Sequence, residues 1–245
     1  MACIVKNNAP SLYGIDCACG TGLFTRKLKK LGASVTGVDI SEEMLTQAKF
    51  MSQSEKLFIN FLKGDIRTLK SFKKCDFITC VNDGINYVKQ AELGKVFDSF
   101  SRCLNKGGIL LFDVSSEYKL STVLNNNVFG DDGEDLSYIW INEYDSSNRK
   151  IDMYLSFFEK NNGVYKRYNE VQTQYVHTYQ EIVNCALNSG FSLVSATDEN
   201  GEKTEDSVIV NIDDENIWNL ISSNKTTGLF QIGTDTYKKR MPRLA

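Results

Sequence analysis

The run Ile15-Asp16-Cys17-Ala18-Cys19-Gly20-Thr21-Gly22, with Val35-Thr36-Gly37-Val38-Asp39 one helix length later, leaves this chain few folds to choose from. An apolar stretch reaches Asp16, tightens into a loop of small residues, and opens into Leu23 to Leu31. There Leu23, Leu28 and Leu31 are interspersed with Arg26, Lys27, Lys29 and Lys30, the pattern of an amphipathic helix, which Gly32 closes. Val35 to Asp39 reads as the next strand, with an acid at its tip. Strand, small-residue loop, helix and strand make a mononucleotide-binding half of a doubly wound α/β fold.

Each residue type in that half has a physical task. Gly20 and Gly22 let the backbone approach a ligand where a side chain would block it. Asp39 ends its strand about 20 residues on, where a carboxylate can accept hydrogen bonds from two ribose hydroxyls. A dinucleotide site asks for G-x-G-x-x-G with phosphates at the helix N-terminus. Here those positions read Ala18, Gly20 and Leu23, which argues against a nicotinamide-dependent oxidoreductase. With its acid two residues before Ala18 and its Gly-Thr-Gly finish, Asp16-x-Ala18-Cys19-Gly20-Thr21-Gly22 resembles the first motif of the class I S-adenosylmethionine-dependent methyltransferases, in the form D-L-A-C-G-T-G.

The following units keep that resemblance. Ser41 with Glu42 and Glu43 starts a helix continued by Met44, Leu45, Ala48 and Phe50. The two glutamates complement its dipole. Leu57 to Leu62 reads as a third strand ending in Lys63-Gly64-Asp65-Ile66, and Asp76 to Val81 as a fourth, apolar enough for a parallel sheet buried on both faces. The fourth runs into Asn82-Asp83-Gly84-Ile85-Asn86-Tyr87, similar to the D-S-x-N-Y turn of small-molecule methyltransferases. A helix face of Val96, Phe97, Phe100, Cys103 and Leu104 is stopped by Asn105-Lys106-Gly107-Gly108, before a fifth strand over Ile109 to Val114.

From Glu117 the pattern changes. Tyr118 to Asn127 reads as a helical link and Asp131 to Asp135 as a solvated turn without calcium-loop spacing. Three β-rich runs follow, Leu136 to Tyr144, Lys150 to Lys160 and Val164 to His177, separated by the hairpin signals Asp145 to Asn148 and Asn161-Asn162-Gly163. In the third run alternation sets Glu170, Gln172 and Gln174 on one face and Val171, Thr173 and Tyr175 on the other. This run is similar to a family signature but carries Gln172 where that has His, Tyr175 where it has Arg, and His177 where it has Tyr. His177, the only histidine, reads as structural before general base. Gln180 to Asn188 is an amphipathic helix capped by Gly190, and Phe191 to Thr197 with Ser207 to Ile212 would complete the sheet. Ile217 to Ile221 reads as a short helix, Gly228 to Tyr237 as a strand, and the basic end as a solvated tail.

Composition bounds the rest. The 245 residues are 42% hydrophobic and 24% charged, which suits a soluble chain with a sizeable core. A net charge of −3 gives no footprint for nucleic acid. Seven cysteines, no spanning apolar run and no signal-peptide pattern point to reduced thiols in the cytoplasm. Cys17 and Cys19 read as packing residues, and no metal site is expected.

The expected fold is therefore α/β: a doubly wound, Rossmann-like seven-stranded sheet with a small antiparallel β insertion. Residues 1–116 and 178–212 would form the cofactor-binding domain, 117–177 a roof over the acceptor, and 213–245 an extension. The resemblance implies S-adenosyl-L-methionine as cofactor, held by Asp16, Ala18, Gly20 and Gly22 at its methionine end, Asp39 and Ile40 at the ribose, Asp65 and Ile66 at the adenine, and Asn82. It implies a small-molecule acceptor positioned by Asp83, Asn86 and Tyr87 under Glu170, with Asp83, Tyr87 and Glu170 as the catalytic set. An amine must be neutral to attack, so a nearby carboxylate or tyrosine favours N- over O-methylation. Family members carry N-terminal lid helices that Met1 to Pro10 is too short to supply: either the N-terminus is truncated or another segment serves as the lid, for which residues 213–245 are the candidate. The competing expectation is a methyltransferase-like binding module that needs a partner.

Overall fold

The structure, a computed structural model, describes residues 12–71, 73–196 and 209–211. The extension at 213–245, the elements expected within it, and the short N-terminal segment lie outside the described residues.

Seven strands form one sheet: β1 (Tyr13–Cys17), β2 (Ser34–Asp39), β3 (Asn60–Lys63), β4 (Cys75–Cys80), β5 (Leu104–Phe112), β10 (Ser192–Ser195) and β11 (Ile209–Asn211). Their spatial order is β10-β11-β5-β4-β1-β2-β3. The five from β3 to β5 are parallel, while β11 runs antiparallel to both neighbours. The order reverses between β1 and β4, and at such a switch point a doubly wound sheet opens a crevice beyond its strand ends. This is the expected fold class.

Local chemistry explains the helices. Ser41 caps α2 (Glu42–Ser54) by accepting from the Met44 amide. Thr178 and Glu181 close a capping box on α4 (Tyr179–Asn188). The faces of α1 (Leu23–Lys30) and α3 (Leu93–Cys103) cover the sheet. Around α3 the main core gathers Ile15, Ile78, Ile85, Phe97, Phe100, Leu110, Phe112 and Ile182. There the Phe97 ring meets those of Phe100, Phe112 and Phe191 edge-on at 5.6–6.5 Å.

A second, antiparallel sheet follows β5, in the order β6 (Val128–Asp132), β7 (Leu136–Asp145), β8 (Lys150–Asn161) and β9 (Val164–Tyr175). Its inner face packs Tyr138, Trp140, Ile151 and Met153 against Leu120 and Leu124 of a helical link that contains a π turn at Lys119–Val123. Three local expectations are corrected. Asp131 and Asp132 belong to β6, because main-chain pairing with Tyr138 and Ser137 outweighs their turn propensity. The sequence Asn105 to Gly108 does not separate helix from strand, since β5 begins at Leu104, which pairs with Cys75. The third strand starts at Asn60 rather than Leu57.

The sheets are fastened to each other by polar side chains. Asn86 is buried, donating through Nδ2 to the carbonyls of Ser115 (3.1 Å) and Tyr175 (3.0 Å) and accepting the Ser115 amide at 2.8 Å. Gln90 donates to the Val176 carbonyl at 3.0 Å. The Arg149 fork meets both oxygens of Glu181 at 2.8 and 2.9 Å, holding that carboxyl down at about 2.

Candidate active site

The loop after β1 is shaped by three left-handed residues, Ala18 (φ 49), Gly20 (φ 53) and Gly22 (φ 72). A side chain at Gly22 would lie 2.8 Å from the Phe61 ring, so the loop is pressed onto β3 and α2 there. At Gly20 an added Cβ meets nothing within 4 Å, so the loop keeps an open side above the strand ends. The Gly20 amide donates to Asp39 Oδ2 at 2.7 Å, and the Ser41 amide donates to Oδ1 at 2.9 Å. Those bonds fix the carboxylate at the tip of β2 and leave each oxygen a lone pair. Ile40 beside it is 62% exposed. An open glycine loop, a fixed carboxylate and an uncovered apolar side chain together fit a nucleoside, with the sugar at the carboxylate and the flat face of the base on the apolar group.

Asp16 stands differently from the expectation. It is fully buried beneath the loop, and its oxygens accept from the hydroxyls of Thr25 at 2.5 Å and Thr79 at 2.6 Å. Its side chain ties the end of β1 to α1 and β4. Burial pushes its carboxyl up from 3.8 to about 6, against the pull of the two threonines. A folded-state value above the unfolded one means that the native state holds the proton more tightly. The stability this group contributes is thus complete below pH 3.8 and is lost as pH rises through 6. Asp16→Asn should remove a loss of up to about 3 kcal/mol between acid and neutral pH, read as the variant-minus-native difference in urea unfolding free energy. A difference that stays flat with pH would contradict the assignment.

Asp65 caps a 3-10 turn at Ile66–Thr68 by accepting the Arg67 amide. The Arg67 guanidinium also grips it, with Nε at 3.0 Å and Nη2 at 2.5 Å, and holds its carboxyl below the usual range. Glu92 anchors the far side of that arginine at 2.7 Å. Ile66 is half-buried against the core, so the turn offers one edge at the end of β3.

The loop after β4 carries the acceptor candidates. Asn82 (φ 62) and Asp83 (φ 61) are consecutive non-glycine residues in the left-handed region, a costly arrangement. Asp113, just past β5, holds it by accepting the Asn82 amide at 3.0 Å and the Asp83 amide at 2.7 Å. Gly84 follows, where a Cβ would strike Ala18 and the Cys80 sulfur at 2.8 Å, so the loops after β1 and β4 lie in contact. The Asp83 carboxylate faces Lys119 at 3.6 Å. Tyr87, at the end of the 3-10 turn Gly84–Tyr87, donates its hydroxyl to Gln172 Oε1 at 2.7 Å, and Gln172 Nε2 donates to Glu170 Oε1 at 2.6 Å. Desolvation first, then the nearby acids Asp83 and Glu170, pushes the Tyr87 phenol up to about 12.

Asn86 does not line the site with its neighbours, being the buried fastener described above. His177 is buried as well, with Nε2 3.3 Å from the Ile85 carbonyl, and burial lowers its affinity for a proton. Asp113 and Arg67 are the contributors that sequence reading did not assign to the site. Only the strand-end position of Asp113 signalled it. Among the described residues no cluster of metal-ligating side chains occurs, the six cysteines are unpaired, and no helix is long and apolar enough to cross a membrane.

Known proteins share this sequence pattern and fold. Residues 15–108 match a family described as methyltransferase domain. The Bacillus subtilis (strain 168) methyltransferase-family protein YqeM is 36% identical over 185 residues, 75% of this chain and 74% of that one. The crystal structure of an S-adenosylmethionine-dependent methyltransferase from Clostridium acetobutylicum superposes with a TM-score of 0.77 at 30% identity, covering 87% of this chain and 89% of that chain. The sugar N-methyltransferase KedS8 from a Streptoalloteichus species shares the fold, with a TM-score of 0.69 at 19% identity over 84% of this chain and 81% of that chain.

Proposed function

We propose, from the premise that this chain belongs to the class I S-adenosylmethionine-dependent methyltransferases, that it methylates a small molecule, at nitrogen in preference to oxygen. When bound, S-adenosylmethionine supplies a methyl carbon made electrophilic by the attached sulfonium, so no protein nucleophile or metal is required. Asp39 would hold the ribose hydroxyls, with Ile40 against the nucleoside. Asp65 and the Ile66 amide would meet the adenine edge. Ala18, Gly20, Gly22 and Asn82 would surround the methionine end, and Asp16 would act on it from below through the loop.

The observation that carries the nitrogen preference is the chain Tyr87–Gln172–Glu170. Tyr87 gives its only proton to Gln172, so toward the acceptor it offers lone pairs. Asp83 and Glu170 offer carboxylates. Such a set orients N–H groups and favours an ammonium at the entrance, which must lose a proton before it can attack. Glu170, exposed to solvent, would take that proton and hand it on to water. Tyr87 remains a phenol and aligns the lone pair, and alignment is the main contribution the protein makes to an in-line displacement. Residues 117–177 would form the roof over this acceptor. KedS8, by its description, acts on a sugar at nitrogen, consistent with this class of acceptor.

The test is methyl transfer from labelled cofactor to matched amines and alcohols on the same carbon skeletons, followed by release of S-adenosylhomocysteine. Amines should lead by about tenfold or more in kcat/KM. Alcohols matching or exceeding them would overturn the nitrogen preference. Intact cofactor binding with no turnover of any small acceptor would instead favour the partner-dependent binding module.

A further inference from the structure

The outer edge of β9 is unpaired among the described residues, and residues 164–170 are exposed. A twelve-residue edge strand ordinarily carries protection against pairing with another chain. Its outer face adds an apolar row. Val128 pairs with Ile141, Ile141 with Tyr154, and Tyr154 with Val171, so four exposed apolar side chains cross the sheet in register and end at this edge. Val171 is 61% exposed and Tyr165, on the same face, 54%.

We propose that β9 is a homodimer interface, in which two copies pair antiparallel about a two-fold axis at Tyr168 and join their small sheets into one. The hairpin turn fixes which groups are available. Asn162 and Gly163, both with positive φ, close a two-residue loop on the pair Asn161 and Val164. The residues flanking such a loop exchange hydrogen bonds, and the pattern alternates along the strand. Val164, Lys166, Tyr168 and Glu170 therefore bond inward to β8, while Tyr165, Arg167, Asn169 and Val171 turn their N–H and C=O groups to the free edge. An antiparallel partner must match that alternation, so only registers centred on a residue are allowed.

Charge chooses among them. Centring on Tyr168 sets Lys166 opposite Glu170 of the second copy, and the symmetry repeats the pair. Both lie at non-hydrogen-bonded positions, where side chains approach most closely. The same register sets Tyr165 opposite Val171 of the second copy, which extends the apolar row across the axis. A register centred on Arg167 faces two guanidinium groups, and one centred on Asn169 leaves both charges of the Tyr168 register without a counterpart. The strand is thus complementary to itself in one alignment. That alignment brings Lys166 of the second copy beside Glu170, the carboxylate at the end of the Tyr87–Gln172–Glu170 chain.

Sedimentation of the full chain over roughly 1–100 µM should show a monomer–dimer equilibrium. Lys166→Glu or Glu170→Lys alone should raise the dimer dissociation constant about tenfold, and the two together should restore it. Oxidised Tyr168→Cys should cross-link as a dimer, because paired Cα atoms at the axis lie within disulfide reach. Lys166→Cys, offset along the strand by about 13 Å, should not. These positions are on the surface, and unchanged thermal unfolding will verify that each variant folds. A wild-type monomer throughout the range, failure of the double charge swap to restore association, or equal cross-linking at 166 and 168 would overturn the proposal.

Discussion

Asp39→Ala should weaken binding of S-adenosylhomocysteine about a thousandfold in calorimetric titration, the largest loss expected from one side chain at this site. The carboxylate already accepts the Gly20 and Ser41 amides, so it is preset before any ligand arrives. Two ribose hydroxyls would add two charge-assisted hydrogen bonds, each worth about 1.5–3 kcal/mol. Its removal also releases the Gly20 amide, and with it the loop conformation that leaves the open side. Asp39→Asn keeps the shape, turns one acceptor into a donor, and should fall between the two. Affinity within threefold of wild type for the alanine variant would refute the assignment of the ribose to this residue.

The second large effect concerns stability. Asn86→Ala should destabilise the fold by about 4 kcal/mol in urea unfolding, because it orphans buried groups of the main chain at about 1–3 kcal/mol each. The Ser115 amide and the carbonyls of Ser115 and Tyr175 all lose their partner at once. Asn86→Asp should fare no better, since it would press a carboxylate against two carbonyl oxygens. Near-native stability in either variant would mean that Asn86 does not carry the junction between the two sheets. The test also separates Asn86 from its neighbours: loss of stability with retained cofactor affinity is the signature of a fastener, not of a ligand contact.

The sequence of the first four βα units was legible because each strand end carries a residue with one dominant physical reason to be there. Gly20 and Gly22 need left-handed backbone, Asp39 ends a strand, and Asp65 caps a turn. What stayed hidden depended on partners far away along the chain. Asn86 read as a site residue because it stands in the turn similar to D-S-x-N-Y, and its bonds to Ser115 and Tyr175 appear only in the fold. The bonds of Asp16 to Thr25 and Thr79 likewise appear only in the fold. Asp113 drew no attention because its role is to satisfy amides that a sequence does not show to be strained. The aspartates of β6 read as a turn, since two acids and a glycine favour turns wherever a neighbouring strand does not overrule them.

The bridge from Asp113 to the amides of Asn82 and Asp83 has a bearing on how such an enzyme changes substrate. The unfavourable backbone of the loop is compensated from a different strand, so the direction in which the loop leaves β4 does not depend on the residues that follow. Variation at Tyr87, or in the part of β9 that faces it, would then alter the proposed acceptor side while the cofactor side keeps its geometry. On the proposed assignment, substrate range and cofactor binding would vary separately, with the boundary between them at Gly84.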